Sequence, residues 1–303
     1  MKLYCITGFL GAGKTTFLKN FLRLFAEQRI FLLINEFGKT GVDGALLREV
    51  HATLTEINNG SIFCACRLDR FEAALVDAVQ QKPDVMIVEA SGLSDPTGIC
   101  KVLSQPAAGA ITYAGSICVV DAVRFEKVVD TARVCPKQLA VSSLALLNKA
   151  ALASPAQLCA VTQRILQINP AITVQQTNFG AFSPAWLPLI TPRAAVEESD
   201  FGADITLQKA CITVKDSMSL TQLHSLLAML AEDTYRMKGF VRLQQQVYFV
   251  DCVGPMVQIT PYTQETNNAI GTLVLLAGKG MALRKSVQTA LAWYSEYVTE
   301  EKT

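Results

Sequence analysis

Through the first part of the chain, short uninterrupted apolar runs alternate with stretches whose apolar positions recur every three or four residues. The runs are KLYCIT (2–7), IFLLINE (30–36), DVMIVEA (84–90), SICVVDAV (116–123), SLALLNK (143–149) and AITVQQT (171–177). Helical spacing occupies Thr15 to Ala26, Leu68 to Gln81 and Pro155 to Ile168 between them. Strands that are apolar throughout, separated by helices, predict a mostly parallel sheet covered by helices on both faces, an α/β architecture. The pattern dissolves into Pro, Gly and acidic residues over TPRAAVEESDFGAD (191–204), which reads as a linker. Beyond it ITLQKACITV, GFVRL, QVYFVDCV, MVQITPY and GTLVLLAG read as strands, flanked by helices near Leu220 to Glu232 and Ala282 to Tyr297. The expected organisation is a larger α/β domain over 1–190, a linker over 191–204 and a smaller α+β domain over 205–303.

Composition narrows the function classes. Half of the 303 residues are hydrophobic and the net charge is +1, with Lys and Arg spread along the chain. That argues against nucleic acid or an anionic membrane as the main partner. No apolar run approaches the ~18 to 20 residues of a membrane span. The opening MKLYCITGFLGAGKTT breaks its apolar stretch with glycines and a lysine, so a cytoplasmic location is expected.

GFLGAGKT, from Gly8 to Thr15, fits G-x-x-x-x-G-K-[ST] and lies between an apolar strand and a helical pattern. In that context Gly8, Gly11, Ala12, Gly13, Lys14, Thr15 and Thr16 form a phosphate loop, a P-loop NTPase signature. Gly11 and Gly13 let backbone N–H groups face phosphate oxygens, and the following helix adds positive charge from its N-terminus. Lys14 is placed to reach the β and γ phosphates, and the Thr15 hydroxyl to ligate Mg²⁺. Glu89 ends the run DVMIVE, where an Mg²⁺-directed acid belongs, bound directly or through water. Gly92, three residues on, offers a backbone N–H to the γ-phosphate. INEFGKTGVDG (34–44) places Glu36 and Asp43 among glycines, as a switch loop would, with Asp43 facing Mg²⁺ or positioning water. A plain surface loop is the rival reading.

ALLNKAA (145–151) ends a strand with Asn148 and Lys149, two of the residues of the N-K-x-D element by which GTPases read guanine. The aspartate position holds Ala151. Hydrogen bonds to a charged group are worth about 1.5 to 3 kcal/mol each, so GTP is not secured against ATP.

Nine cysteines are present. Cys5 and Cys118 sit inside apolar runs and fit buried thiols. Cys64 and Cys66, in SIFCACR (61–67), follow the turn residues Asn58, Asn59 and Gly60. Three accounts compete for this pair. Inert buried thiols are one, and a redox pair, strained across a single intervening residue, is another. The third is a site for a soft or borderline ion such as Zn²⁺, Cu(I) or Co²⁺. Two thiolates do not complete a tetrahedral site, so Glu36, a substrate molecule or a second subunit would supply the rest.

Together GFLGAGKTT, NEFGKTGVD, the N-G-x-x-x-C loop, EASGLSDP, VVDA (119–122), LNK and YRMKGFV (235–241) resemble the CobW-like metallochaperone GTPases, relatives of the nickel-insertion GTPases. The resemblance covers nearly the whole length. It implies Mg²⁺ and GTP (or ATP) as cofactors, slow intrinsic hydrolysis, and a switch for delivering a metal such as Zn or Co, or a metallocofactor of cobalamin type. It further implies a client metalloenzyme or cofactor-maturation protein as partner, with a homodimer left open. Lys14, Glu89 and Asp43 would be the catalytic residues. Cys64, Cys66 and Glu36 would be the metal ligands, and Arg236 and Lys238 would lie in a partner-contact domain. This chain departs from the family pattern in three places. The usual C-x-C-C keeps only Cys64 in place, Lys39 replaces the second acid of N-E-x-G-E, and only His51 and His224 stand in for a His-rich tract. An ATP-dependent small-molecule phosphotransferase and a non-catalytic nucleotide-responsive binding module remain alternatives.

Overall fold

The computed structural model describes residues 1–34, 52–56, 68–99, 103, 109–193, 207–254, 256–263, 270–278 and 280–300. The chain divides into two compact units, Met1–Asp204 and Ile205–Thr303.

In the first unit the apolar runs become strands β1 (Lys2–Thr7), β2 (Ile30–Ile34), β4 (Val85–Glu89), β5 (Thr112–Asp121), β6 (Leu144–Asn148) and β7 (Thr173–Gln176), with β3 (Ala52–Glu56) as an addition. They form one seven-stranded sheet in the order β3-β2-β4-β1-β5-β6-β7. Every pairing in it is parallel. β2, β4 and β6 are buried at every position, as strands covered on both faces require.

Successive residues of β1 serve opposite faces. Tyr4 and Ile6 join Phe17, Leu18 and Phe21 in one apolar cluster, whereas Leu3 and Cys5 join Phe71, Leu75 and Ala78 in another. These partners come from helices α1 (Lys14–Leu22) and α2 (Leu68–Gln81). α1 is shorter than its sequence pattern predicts, because its last turn tightens into a 3-10 turn at Arg23–Phe25. That turn brings Phe25 within 5.3 Å of Phe21 and 5.5 Å of Tyr4, ring centre to ring centre. Two short helices, α3 (Phe125–Val129) and α4 (Val134–Ala140), follow β5. α5 (Pro155–Ile168) opens on a capping box between Ser154 and Gln157, with proline in its first turn. Thr191 N–H donates to Ser143 Oγ at 2.9 Å and Arg193 bonds the Ala171 carbonyl, so the start of the Pro-rich segment is tied to the first unit.

The second unit is an antiparallel sheet of β8 (Leu207–Val214), β9 (Arg236–Leu243), β10 (Gln246–Val253), β11 (Ile259–Pro261), β12 (Thr272–Gly278) and β13 (Val298–Glu300), ordered β11-β10-β9-β12-β8-β13. α6 (Leu220–Ala231) and α7 (Leu283–Trp293) contribute Leu226, Leu230 and Val287 to its core, against Met237, Val241 and Leu275. An α/β fold with a smaller α+β unit is thus what the alternation of runs predicted.

Candidate functional site

Parallel strands bring their C-terminal ends to one edge, and ligands of such sheets lie across that edge. Here Ile6 of β1 is in register with Glu89 of β4, and Asp121 of β5 with Asn148 of β6. Glu89, Asn148 and the phosphate-loop residues among those singled out in the sequence therefore lie at the end of the sheet where β1 turns into α1.

The turn needs its glycines. Gly8, Gly11 and Gly13 have φ of 135°, 74° and 97°, values that L side chains rarely adopt. A Cβ on Gly8 would lie 2.2 Å from the Val119 carbonyl oxygen, and one on Gly13 2.4 Å from Asn148 Nδ2. Ala12 is buried and Thr16 exposed on the first turn of α1. Lys14 Nζ donates to the Phe9 carbonyl at 3.1 Å, so the ammonium lies folded over the loop.

Thr15 Oγ1 donates to Glu89 Oε1 at 3.2 Å, across 74 residues of sequence. Glu89 is 3% exposed at the end of β4. A hydroxyl and a carboxylate oxygen converging at a helix N-terminus are hard donors, the set that Mg²⁺ prefers. The residues fit that ion.

Beyond Glu89 the chain passes Gly92, where a Cβ would come within 2.7 Å of Leu10 N in the phosphate loop. Two consecutive side chains of α4 hold this segment. Gln138 Nε2 donates to the Gly92 and Ser94 carbonyls, both at 3.2 Å, and Lys137 Nζ to Asp95 Oδ2 at 2.6 Å. Asp95 Oδ1 also accepts from Thr97 N–H at 3.0 Å.

At the far end of the edge, Asn148 is 2% exposed and both ends of its amide are engaged. Its Nδ2 donates to the Ala12 carbonyl at 2.9 Å, and its Oδ1 accepts from Gly180 N–H at 3.0 Å. Lys149, at φ 61°, donates to Asp121 Oδ2 at 2.6 Å. Asp121 Oδ1 in turn accepts from Val123 and Arg124 N–H at 2.9 and 3.1 Å. Asp121, Lys137, Gln138 and the turn 177–180 were not assigned a role from sequence. VVDA was the one signal for Asp121, and a Gly after β7 the one signal for the turn.

Burial pushes the Cys118 thiol up to about 12, with Lys14 acting weakly the other way, so it stays a neutral core group. Cys5 is likewise buried. Glu36, Lys39, Asp43, Cys64 and Cys66 lie outside the described residues. Among the described residues no group of three or more His, Cys, Asp or Glu is placed to hold a metal ion. No helix among them is long and apolar enough to cross a membrane. In the second unit, Arg236 makes two 3.0 Å bonds to Asp251, and Lys238 Nζ sits 5.5 Å from the Phe249 ring centre.

The zinc chaperone CobW of Sinorhizobium sp is 38% identical over 125 residues, covering 38% of this chain and 35% of its own length. The zinc chaperone YjiA of Escherichia coli (strain K12) is 29% identical over 183 residues, covering 58% and 57%. Zinc-regulated GTPase metalloprotein activator 1 of Schizosaccharomyces pombe is 27% identical over 186 residues, covering 58% and 45%. The chain thus spans between 35% and 57% of the length of these curated relatives. Among solved structures, a zinc-bound triple mutant of YjiA GTPase covers 97% of this chain and 98% of its own at 18% identity, with a TM-score of 0.50, a likeness of fold. Residues 207–292 match the cobalamin synthesis protein cobW C-terminal domain. Residues 2–176, more than half the chain, match the CobW/HypB/UreG nucleotide-binding domain, and the chain belongs to that family.

Proposed function

We propose that this chain is an Mg²⁺-dependent nucleoside triphosphatase, using GTP in the first place, that acts as a switch in delivering zinc or another metal or metallocofactor to a client enzyme. The observation that carries the reading is the 3.2 Å approach of Thr15 to Glu89 at the start of α1, beneath a glycine-rich loop. The names of the zinc chaperones and GTPase activators that the chain resembles support the metal cargo.

In this mechanism the loop N–H groups and the N-terminus of α1 cradle the phosphates. Lys14 leaves the Phe9 carbonyl and moves onto the β and γ oxygens. Thr15 and Glu89 would hold Mg²⁺, which would supply positive charge against the phosphate oxygens. Gly92 N–H meets the γ-phosphate, and Asp43 positions water. Glu36, Cys64 and Cys66 take the cargo ion, thiolates suiting zinc or cobalt. The proposal couples nucleotide binding, through the sequence 34–44, to the hold of Cys64 and Cys66 on the ion.

In this reading 1–190 is the nucleotide domain, 191–204 the linker and 205–303 the part that meets the client metalloenzyme or maturation protein. A cytoplasmic location and a homodimer belong to the same proposal. Anaerobic titration of the reduced protein with Co²⁺, with and without GTPγS and Mg²⁺, tests it beside a Cys64→Ser/Cys66→Ser variant. A thiolate absorption band that needs both cysteines and shifts with nucleotide is expected. A spectrum without that band in every state overturns the carrier reading.

A further inference from the structure

Phe179 and Leu152 are large apolar side chains left 84% and 74% exposed. They flank one spot. Ala151 N–H donates to Asn178 Oδ1 at 2.7 Å, which ties the turn after β6 to the turn after β7. Asn148 locks both to the phosphate loop through Ala12 and Gly180. Gly180 presses on α1 so closely that a Cβ there would lie 2.5 Å from Phe17 N. Asn20 Nδ2, from α1, bonds the Phe179 and Gly180 carbonyls at 3.0 and 2.9 Å. The backbone of Phe179 is therefore fixed, at φ 51°, with its ring in solvent. Asn148 and Lys149, the residues expected to meet the base, lie at the end of β6 beside this spot, so in the nucleotide-hydrolase reading a base that reaches them comes against it.

We infer that Phe179 is a stacking residue for the base, with Leu152 bordering the same face, and that this site accepts adenine nucleotides alongside guanine nucleotides. The inference rests on the nucleotide-hydrolase reading and deepens it. Guanine is distinguished from adenine by the N1–H and N2–H donors of its edge, which need an acceptor. The Ala151 methyl supplies none, and Asn178 Oδ1, which already accepts from the Ala151 N–H, is a neutral amide oxygen and a weaker acceptor than a carboxylate. The remaining Asn178 Nδ2 is a donor that suits N7, an atom common to both purines. Stacking on an aromatic ring rewards either purine, since each has a π face.

The test is titration of the full chain with GTPγS and ATPγS in the presence of Mg²⁺, alongside Phe179→Ala, Ala151→Asp and Lys14→Ala. The wild-type affinities should differ by no more than about tenfold, and Ala151→Asp should raise the guanine preference by about tenfold or more, the worth of hydrogen bonds to a charged acceptor. Phe179→Ala should weaken both nucleotides by about tenfold. Because the ring is exposed, the melting temperature without nucleotide should stay put. A wild-type preference for guanine beyond about a hundredfold, or unchanged affinity in Phe179→Ala, overturns this inference alone. Binding of neither nucleotide, or wild-type affinity in Lys14→Ala, overturns the hydrolase reading with it.

Discussion

The amide of Asn148 is buried and spends its donor on Ala12 and its acceptor on Gly180, one in the phosphate loop and the other in the turn after β7. A residue expected to meet the base is thus first a clamp between loops, and its neighbour Lys149 is held by Asp121. Asn148→Ala removes two hydrogen bonds and leaves a buried carbonyl and N–H without this partner, at a cost of about 2 to 3 kcal/mol. Asn148→Asp keeps the acceptor for Gly180 but sets a carboxylate oxygen against the Ala12 carbonyl, so it should not rescue. Urea unfolding reads both, and an unchanged midpoint in Asn148→Ala would show that the clamp carries no weight.

At the scale of elements, α4 links the post-Glu89 segment to the sheet. Gln138 is 1% exposed and reaches two carbonyls of that segment. Gln138→Leu keeps the bulk and removes the donor. Stability should fall by about 1 kcal/mol. If Gly92 meets the γ-phosphate as proposed, turnover should fall by about tenfold, a loss of positioning that leaves nucleotide affinity nearly unchanged. Single-turnover kinetics and a binding titration separate the two, and a parallel loss of affinity would refute a positioning role. Neither α4 nor its contacts were legible in the sequence. VCPKQLA is too short for a helical period, and its bonds join residues 44 and 46 positions apart. The clamp of Asn148 on Gly180 spans 32. β3 escaped notice because ATLTE alternates threonine with apolar residues at the sheet edge. By contrast the phosphate loop and Glu89 were legible, since a glycine turn between a buried strand and a helix is a local necessity of the fold. α2 and α5 were legible as well, to the residue, from apolar spacing and from the Ser-Pro start of α5.

At the scale of the molecule, the four apolar clusters among the described residues each lie within one unit. A unit that closes its own core unfolds as its own cooperative block. In the proposed reading nucleotide binds the first unit, so by mass action it should stabilise that block alone, by about 2.7 kcal/mol at a hundredfold excess over Kd. For a block of this size the gain corresponds to a rise of roughly 5 to 10 °C in its Tm. Leu275, fully buried in the second core, is the complementary handle. Leu275→Ala should cost about 2 to 5 kcal/mol and lower the other transition only. Scanning calorimetry should therefore show two transitions, one moved up by GTPγS with Mg²⁺ and the other moved down by the substitution. If both perturbations shift a single transition, the two cores melt together, and the second unit then stabilises the nucleotide site as well as whatever it meets.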